Sequence, residues 1–238
     1  MEKKELIFEG NEKQLFQTED SGLVIFHFKD VATAFSGVKR ANLADKGKVN
    51  NEISSLLFGY LREKGINTHF VEKLGDREQL CRKISIIPLE FFVHNYIAGP
   101  LAGKLGIPEG TKTPCVVYDL RYNNDALGDP YINGSQARAL GIVNEEDYKY
   151  MCATVKTVNE LLVDLFDKAG LKLIDMKLEF GRSVEGEIIL SDEISPDTCR
   201  IWDAETGEIL DKDRFRHDLG YIVASYSKVY DKLTKVLE

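Results

Sequence analysis

The chain has 238 residues, 43% hydrophobic and 29% charged, with a net charge of −8. That length can bury a core without staples, and the absence of a Lys/Arg stripe argues against nucleic acid as a partner. No apolar run reaches the roughly 18 residues a membrane span needs, and the Met1-Glu2-Lys3-Lys4-Glu5 start lacks a secretory apolar core.

Lys13–Thr18 and Leu23–Phe28 are short β-rich runs separated by Glu19-Asp20-Ser21-Gly22, which predicts a β meander. Thr33-Ala34-Phe35-Ser36-Gly37 reads as a loop. Ile53, Leu56, Leu57, Tyr60 and Leu61 fall at helical spacing and predict a helix from about Asn50 to Lys64, stopped by Gly65. His69–Leu74, Gln79–Ile84 and Leu89–Asn95 read as strands. Pro88, between the last two, is placed to stiffen a crossing between lobes.

The longest predicted helix covers about Glu145–Ala169, with Asn144 as N-cap and Gly170 as its stop. Its stripe of Tyr148, Met151, Val155, Val158, Leu162 and Leu165 is a core face and receives no functional role. A hairpin, Lys172–Phe180 and Glu187–Asp192, precedes a final helix over about Tyr221–Leu237. Strands and helices do not alternate strictly, so the expected class is α+β with mostly antiparallel sheets. The expected lobes are residues 1–85 and 86–238.

Cys81, Cys115, Cys152 and Cys199 are far apart and form no Cys-x-x-Cys pair. They read as reduced thiols of a cytoplasmic protein, used as small buried hydrophobes. His27, His69, His94 and His217 show no zinc spacing.

The hairpin carries the most information. Alternation turns Ile174, Met176, Leu178 and Phe180 to one face and Asp175, Lys177 and Glu179 to the other. The second strand ends near Asp192, which the hairpin would bring beside the charged row. Two carboxylates around a lysine suit a magnesium–nucleotide triphosphate: oxygens hold the hard cation, and the lysine neutralises the transferred phosphoryl group. A solvated face of alternating charge fits the same spacing. Gly10-Asn11-Glu12-Lys13 is a turn that could approach phosphates, or an ordinary β-turn. Arg200, after the Ser195-Pro196-Asp197-Thr198-Cys199 turn, and the Asp213-Arg214-Phe215-Arg216 run supply guanidinium groups for carboxylates or phosphates, or for surface ion pairs.

Taken in order, several segments resemble the SAICAR synthetase family. They are Thr33-Ala34-Phe35-Ser36-Gly37, Gly65-Ile66-Asn67-Thr68-His69-Phe70, Ile87-Pro88-Leu89-Glu90 and Asn95-Tyr96-Ile97-Ala98-Gly99. Further on come Asn124-Asp125-Ala126-Leu127-Gly128-Asp129-Pro130, Asp175 through Gly181, Asp192 through Asp203 and Asp211 through Arg216. The resemblance implies two α+β lobes with ATP in the cleft between them, the first lobe covering the nucleotide. It implies an ATP- and magnesium-dependent ligase that activates the carboxylate of the ribotide CAIR, as an acyl phosphate, for attack by L-aspartate. The products would be SAICAR, ADP and phosphate. It also implies a homo-oligomer.

By the same resemblance, Lys13 and Lys177 contact ATP phosphates, with Asn11 in the same turn. Ile86 meets adenine. Glu179 and Asp192 hold the magnesium–nucleotide. Lys177, Asp175 and Arg200 form the catalytic set, and Arg200 and Arg216 hold the acidic substrate. Substrate-side positions depart from the family pattern. Asn11 and Asn123 stand where lysines are usual, Ser36 where Asn or Asp is usual, His94 for an arginine and Pro100 for a serine. Three of these changes remove a permanent positive charge, and Pro100 removes a hydroxyl and a backbone N–H. Three readings follow: a SAICAR synthetase with tolerated variation, an amide ligase taking a different, non-phosphorylated acid, or a non-catalytic nucleotide-binding regulator.

Overall fold

The computed structural model describes residues 1–35 and 37–238. Strands β1 (Leu6–Glu9), β2 (Lys13–Gln17) and β3 (Leu23–Phe28) form the expected meander, with β1 an added edge. β4 (Val31–Ala34) and β5 (Lys39–Asn42) make a two-stranded ribbon, so Thr33 and Ala34 are strand residues rather than loop. Helix α1 (Lys46–Glu63) begins four residues earlier than its apolar spacing predicted. Lys46 and Asn50 are buried there through polar contacts, which hydrophobic periodicity does not register. β6 (Phe70–Gly75) and β7 (Glu78–Arg82) complete an antiparallel sheet ordered β1-β2-β3-β7-β6.

A second antiparallel sheet starts at β8 (Ile84–Tyr96). It is one 13-residue strand, not two runs divided by Pro88. The proline sits where the register slips, between the pairs Phe180↔Ile87 and Glu179↔Glu90, so its missing N–H costs no ladder bond. After α2 (Pro100–Leu105) come β9 (Lys112–Tyr122), β10 (Tyr131–Ile132) and α3 (Gly134–Ala139), which Asn133 and Gln136 close with a reciprocal cap. Helix α4 (Glu145–Lys168) is capped by the Asn144 side chain, which accepts from the Asp147 N–H at 2.8 Å. β11 (Leu171–Ser183) pairs with β8 along one edge. Along its other edge lie β12 (Ile188–Ser191) and β13 (Cys199–Asp203), end to end. The chain closes with α5 (Asp213–Arg216) and α6 (Ile222–Leu237).

This is the expected α+β architecture. The main core lies under one face of the second sheet, where Leu89, Phe91 and Val93 of β8 and Met176, Leu178 and Phe180 of β11 meet α4 and α6. Ile53, Leu57 and Leu61 of α1 join the same cluster. The thiols divide: Cys81 and Cys199 are buried, but Cys152 is half-buried and Cys115 exposed, contrary to a uniformly buried set. No helix among the described residues is long and apolar enough to cross a membrane.

Candidate active site

Opposite the core, the second sheet presents a charged floor whose layout follows from register. Across β11 and β8, Asp175 pairs with His94, Lys177 with Phe92 and Glu179 with Glu90. Across β8 and β9, Glu90 pairs with Arg121, Phe92 with Asp119 and His94 with Val117; Tyr131 of β10 flanks Arg121. Directly paired residues share a face. Alternation therefore collects Glu90, Phe92, His94, Arg121, Tyr131, Asp175 and Lys177 in one wall of a cavity of about 630 Å³. Gly99 and Pro100 at the start of α2, Arg200 of β13, and Asp213 and Arg216 of α5 also line it. A second cavity of about 250 Å³ lies under the β1–β2 turn, lined by Gly10, Asn11, Glu12, Lys13, Asp192, Glu193 and Lys212. Lys177, Asp197 and Thr198 line both.

At the smaller cavity, Lys177 Nζ donates to Glu179 and lies 3.3 Å from Glu90 and 3.4 Å from Asp192. Lys13 pairs with Asp192 and reaches Glu193 at 3.2 Å. The hairpin thus brings Asp192 to the charged row, and the solvated-face alternative fails because these side chains are mostly buried. Burial opposes ionisation of Asp192, yet the Lys13 and Lys177 charges outweigh it and hold the carboxyl well below its usual range. Glu179 goes the other way: burial, then the Asp192 charge, pushes it up to about 6 against the pull of Lys177. Burial lowers Lys177, but Asp192, Glu179 and Glu90 together hold it well above an ordinary lysine. Two hard carboxylates, one reluctant to ionise, fit a magnesium ion that takes its remaining ligands from water and phosphate. No group of three or more His, Cys, Asp or Glu among the described residues forms a cage that would hold an ion alone.

At the larger cavity, Arg200 donates through Nη1 to Asp175 and through Nε to Asp213, both at 2.7 Å. Arg216 donates to the other oxygen of Asp213 at 2.5 Å. His94, 6% exposed, stands between Asp175 (3.3 Å) and Asp119 (3.7 Å). Arg214 turns away to cap the carbonyls of Ile209, Leu219 and Gly220, so only one of the two arginines of that run faces the cavity.

The SAICAR synthetase family model matches residues 6–233. The chain belongs to the SAICAR synthetase family. It is 50% identical to the phosphoribosylaminoimidazole-succinocarboxamide synthase of Fusobacterium nucleatum over 235 residues, covering 99% of each chain. It is also 50% identical to the synthase of Clostridium acetobutylicum, covering 98% of this chain and 99% of the relative. The crystal structure of the Ehrlichia chaffeensis synthase superposes with a TM-score of 0.94 at 40% identity, covering 97% and 98% of the two chains. A SAICAR synthetase solved in complex with ADP superposes at 0.93 with 42% identity, covering 97% and 98%.

Of the positions where this SAICAR synthetase family member departs from the usual pattern, Asn11 lines the smaller cavity, and His94 and Pro100 line the larger. Asn123 lines neither; its N–H bonds the carbonyl of Pro88. Ser36 lies outside the described residues. Ile86 also lines neither cavity; it is 55% exposed, opposite Gly181. Sequence reasoning passed over Glu90, Arg121, Asp197 and Lys46. Glu90 and Asp197 lie within the family segments, whereas Arg121 carries no local signal and is placed only by the β8–β9 register.

Proposed function

We propose that this chain is a cytoplasmic SAICAR synthetase that joins CAIR to L-aspartate at the expense of ATP, with the nucleotide in the smaller cavity and both other substrates in the larger. The observation that carries this reading is that the two cavities meet at Lys177, Asp197 and Thr198. A phosphoryl group held on one side can there meet a carboxylate held on the other. The lobes divide near residue 85, where the chain passes from the first sheet to the second. Ile86, at that passage, offers an exposed apolar surface to adenine.

Lys13 and Lys177 place their ammonium groups against the phosphates, and Asn11 lies in the same turn. Glu179 and Asp192 are the residues to hold magnesium, which when bound neutralises phosphate oxygens in phosphoryl transfer. Lys177 sits at the junction and stabilises charge on the group in transit. Arg200, fixed by Asp175 and Asp213, faces the acid, and Arg216 extends that wall. Holding acid and amine together in one chamber supplies much of the remaining rate. A homo-oligomer belongs to the same reading.

The test is magnesium-dependent ADP release with CAIR and L-aspartate, the product identified by mass, and light scattering for the assembly. Formation of SAICAR supports the reading. One observation favours a second reading, an amide ligase for a non-phosphorylated acid: His94 and Pro100 line the larger cavity where the family pattern has an arginine and a serine. ADP release that requires some other acid, with none from CAIR, would select it.

A further inference from the structure

Four permanent cations line the larger cavity: Lys177, Arg200, Arg216 and Arg121. Three are committed. Lys177 is held by Glu179, Glu90 and Asp192, Arg200 by Asp175 and Asp213, and Arg216 by Asp213. Arg121 differs. Its Nε donates to the Asp129 carbonyl at 3.1 Å, but Nη1 is 3.6 Å from Glu90 and Nη2 is 3.9 Å from Asp129, both beyond hydrogen-bond reach. Glu90 is itself shared with Lys177.

The guanidinium is also held in place. Its centre lies 5.5 Å from the ring centroids of both Phe92 and Tyr131. Two aromatic neighbours restrain the group while leaving its two outer nitrogens free to donate. Lys104, 4.3 Å from the Tyr131 ring, adds positive potential. A restrained fork with two unspent donors, 29% exposed in a substrate cavity, is built to take two oxygens of one anion.

We propose that Arg121, clamped by Phe92 and Tyr131, is an oxyanion subsite of the substrate chamber and a specificity-determining residue of the ligase. It rests on the proposed reaction for its substrates, which bring a phosphate on the acid and carboxylates on the amine. The place favours the far end of the acid. Arg121 and Lys177 approach opposite oxygens of Glu90, at 3.6 and 3.3 Å, so a group on Arg121 is separated by that carboxylate from the reacting carboxylate, which must sit beside Lys177. His94 and Pro100 themselves bring neither a guanidinium nor a hydroxyl to the wall, Arg200 there is already paired with Asp175 and Asp213, and Arg121 supplies a permanent charge that is not.

The experiment compares wild type, Arg121→Gln and Arg121→Lys in steady-state ligation with each substrate varied in turn. The expected result for Arg121→Gln is a rise of about 10-fold or more in KM for one of acid or amine, with kcat and KM for ATP nearly unchanged. Arg121→Lys recovers only part, because an ammonium lacks the fork. If the phosphate is the ligand, Arg121→Gln also loses preference for the phosphorylated acid over its dephosphorylated nucleoside. If a carboxylate is the ligand, KM for aspartate rises and that preference stays.

A binding arm keeps this test separate from the ligase reading. Titration of inorganic phosphate and of L-aspartate into the ADP-loaded protein reads the subsite even if CAIR is never ligated. Loss of either in Arg121→Gln, with ADP affinity intact, supports the subsite. Equal binding by both proteins, or an equal loss of ADP affinity, overturns it. Tyr131→Leu, at a half-exposed ring, loosens the clamp without removing the charge and is expected to show a smaller shift in the same constant.

Discussion

Burial and neighbouring charges shift the ionisation of individual side chains in and around the candidate site, and two kinds of test follow. Glu179 touches Lys177 and stands beside Asp192, so Glu179→Gln removes a proposed magnesium donor while nearly preserving shape. The expected result is a loss of at least about 100-fold in kcat with ADP binding retained; full turnover would refute the metal assignment. The second test uses pH. His69 is wedged against Phe26 and Phe58 with neither ring nitrogen hydrogen-bonded. Burial, aided by Lys13 against the pull of Asp192, pushes it down from 6.5 to about 4. Between those values the unfolded chain binds a proton that the fold refuses, so this group makes stability rise with pH. Asp211 accepts from the Ile201 and Asp213 N–H groups, but burial and then the Asp213 charge push it up from 3.8 to about 7. There the fold keeps a proton the unfolded chain has lost, and stability falls as pH rises. Melting points measured from about pH 4.5 to pH 7 should separate the two. His69→Leu should tilt the profile toward stability at low pH and Asp211→Asn toward stability at high pH; unchanged slopes would show that neither group carries the load. The charged row was legible because a two-residue period writes Asp175, Lys177 and Glu179 on one face. Arg121 was not, since its neighbours come from two other strands.

Secondary-structure elements were readable where one physical signal dominated. Helix α4 shows an apolar stripe, a capping asparagine and a stopping glycine, and it forms within one residue of the predicted bounds. Elements held by polar burial or by distant pairing were not readable: α1 starts early because Lys46 is neutralised from afar, and β9 and β13 are strands only because β8 and β11 pair with them. Gly99 shows how an element boundary shapes the site. It precedes α2 at φ 54° and ψ −137°, a conformation that side chains resist, and an added Cβ would lie 2.4 Å from the Arg200 guanidinium. Gly99→Ala must therefore strain the backbone and displace Arg200 from Asp175. The expected cost is about 1–3 kcal/mol in stability, with a larger KM for the acid and unchanged ADP affinity. A normal KM for the acid would mean that Arg200 does not hold it.

Across the whole molecule, the two cavities are joined by a buried ionic network that no single segment contains. Lys46, 1% exposed at the start of α1, donates to Asp197 and lies 3.5 Å from Glu12 of the β1–β2 turn. Asp197 also accepts from Asn50 at 2.6 Å and from Tyr226 of α6 at 2.8 Å. Glu12 also accepts from the Thr33 N–H, the Thr33 hydroxyl and Lys212, and through Lys46 it ties the turn over the smaller cavity to Asp197, which lines the larger as well. Burial lowers Lys46, but Asp197 and Glu12 keep it charged and hold it above an ordinary lysine. Removing one member strands a buried charge: Lys46→Met should destabilise the fold by roughly 3–5 kcal/mol. Replacing both, as in Lys46→Met with Asp197→Asn, leaves no stranded pair and should return much of that stability. Function should respond differently. In the double variant Glu12 keeps Lys212 but has lost Lys46, so the turn carrying Lys13 has one cation anchor instead of two and KM for ATP stays raised while the melting point recovers. Calorimetric melting and ATP kinetics on the two single variants and the double decide the matter. If ATP kinetics recover along with the melting point, the network serves stability alone and does not link the cavities.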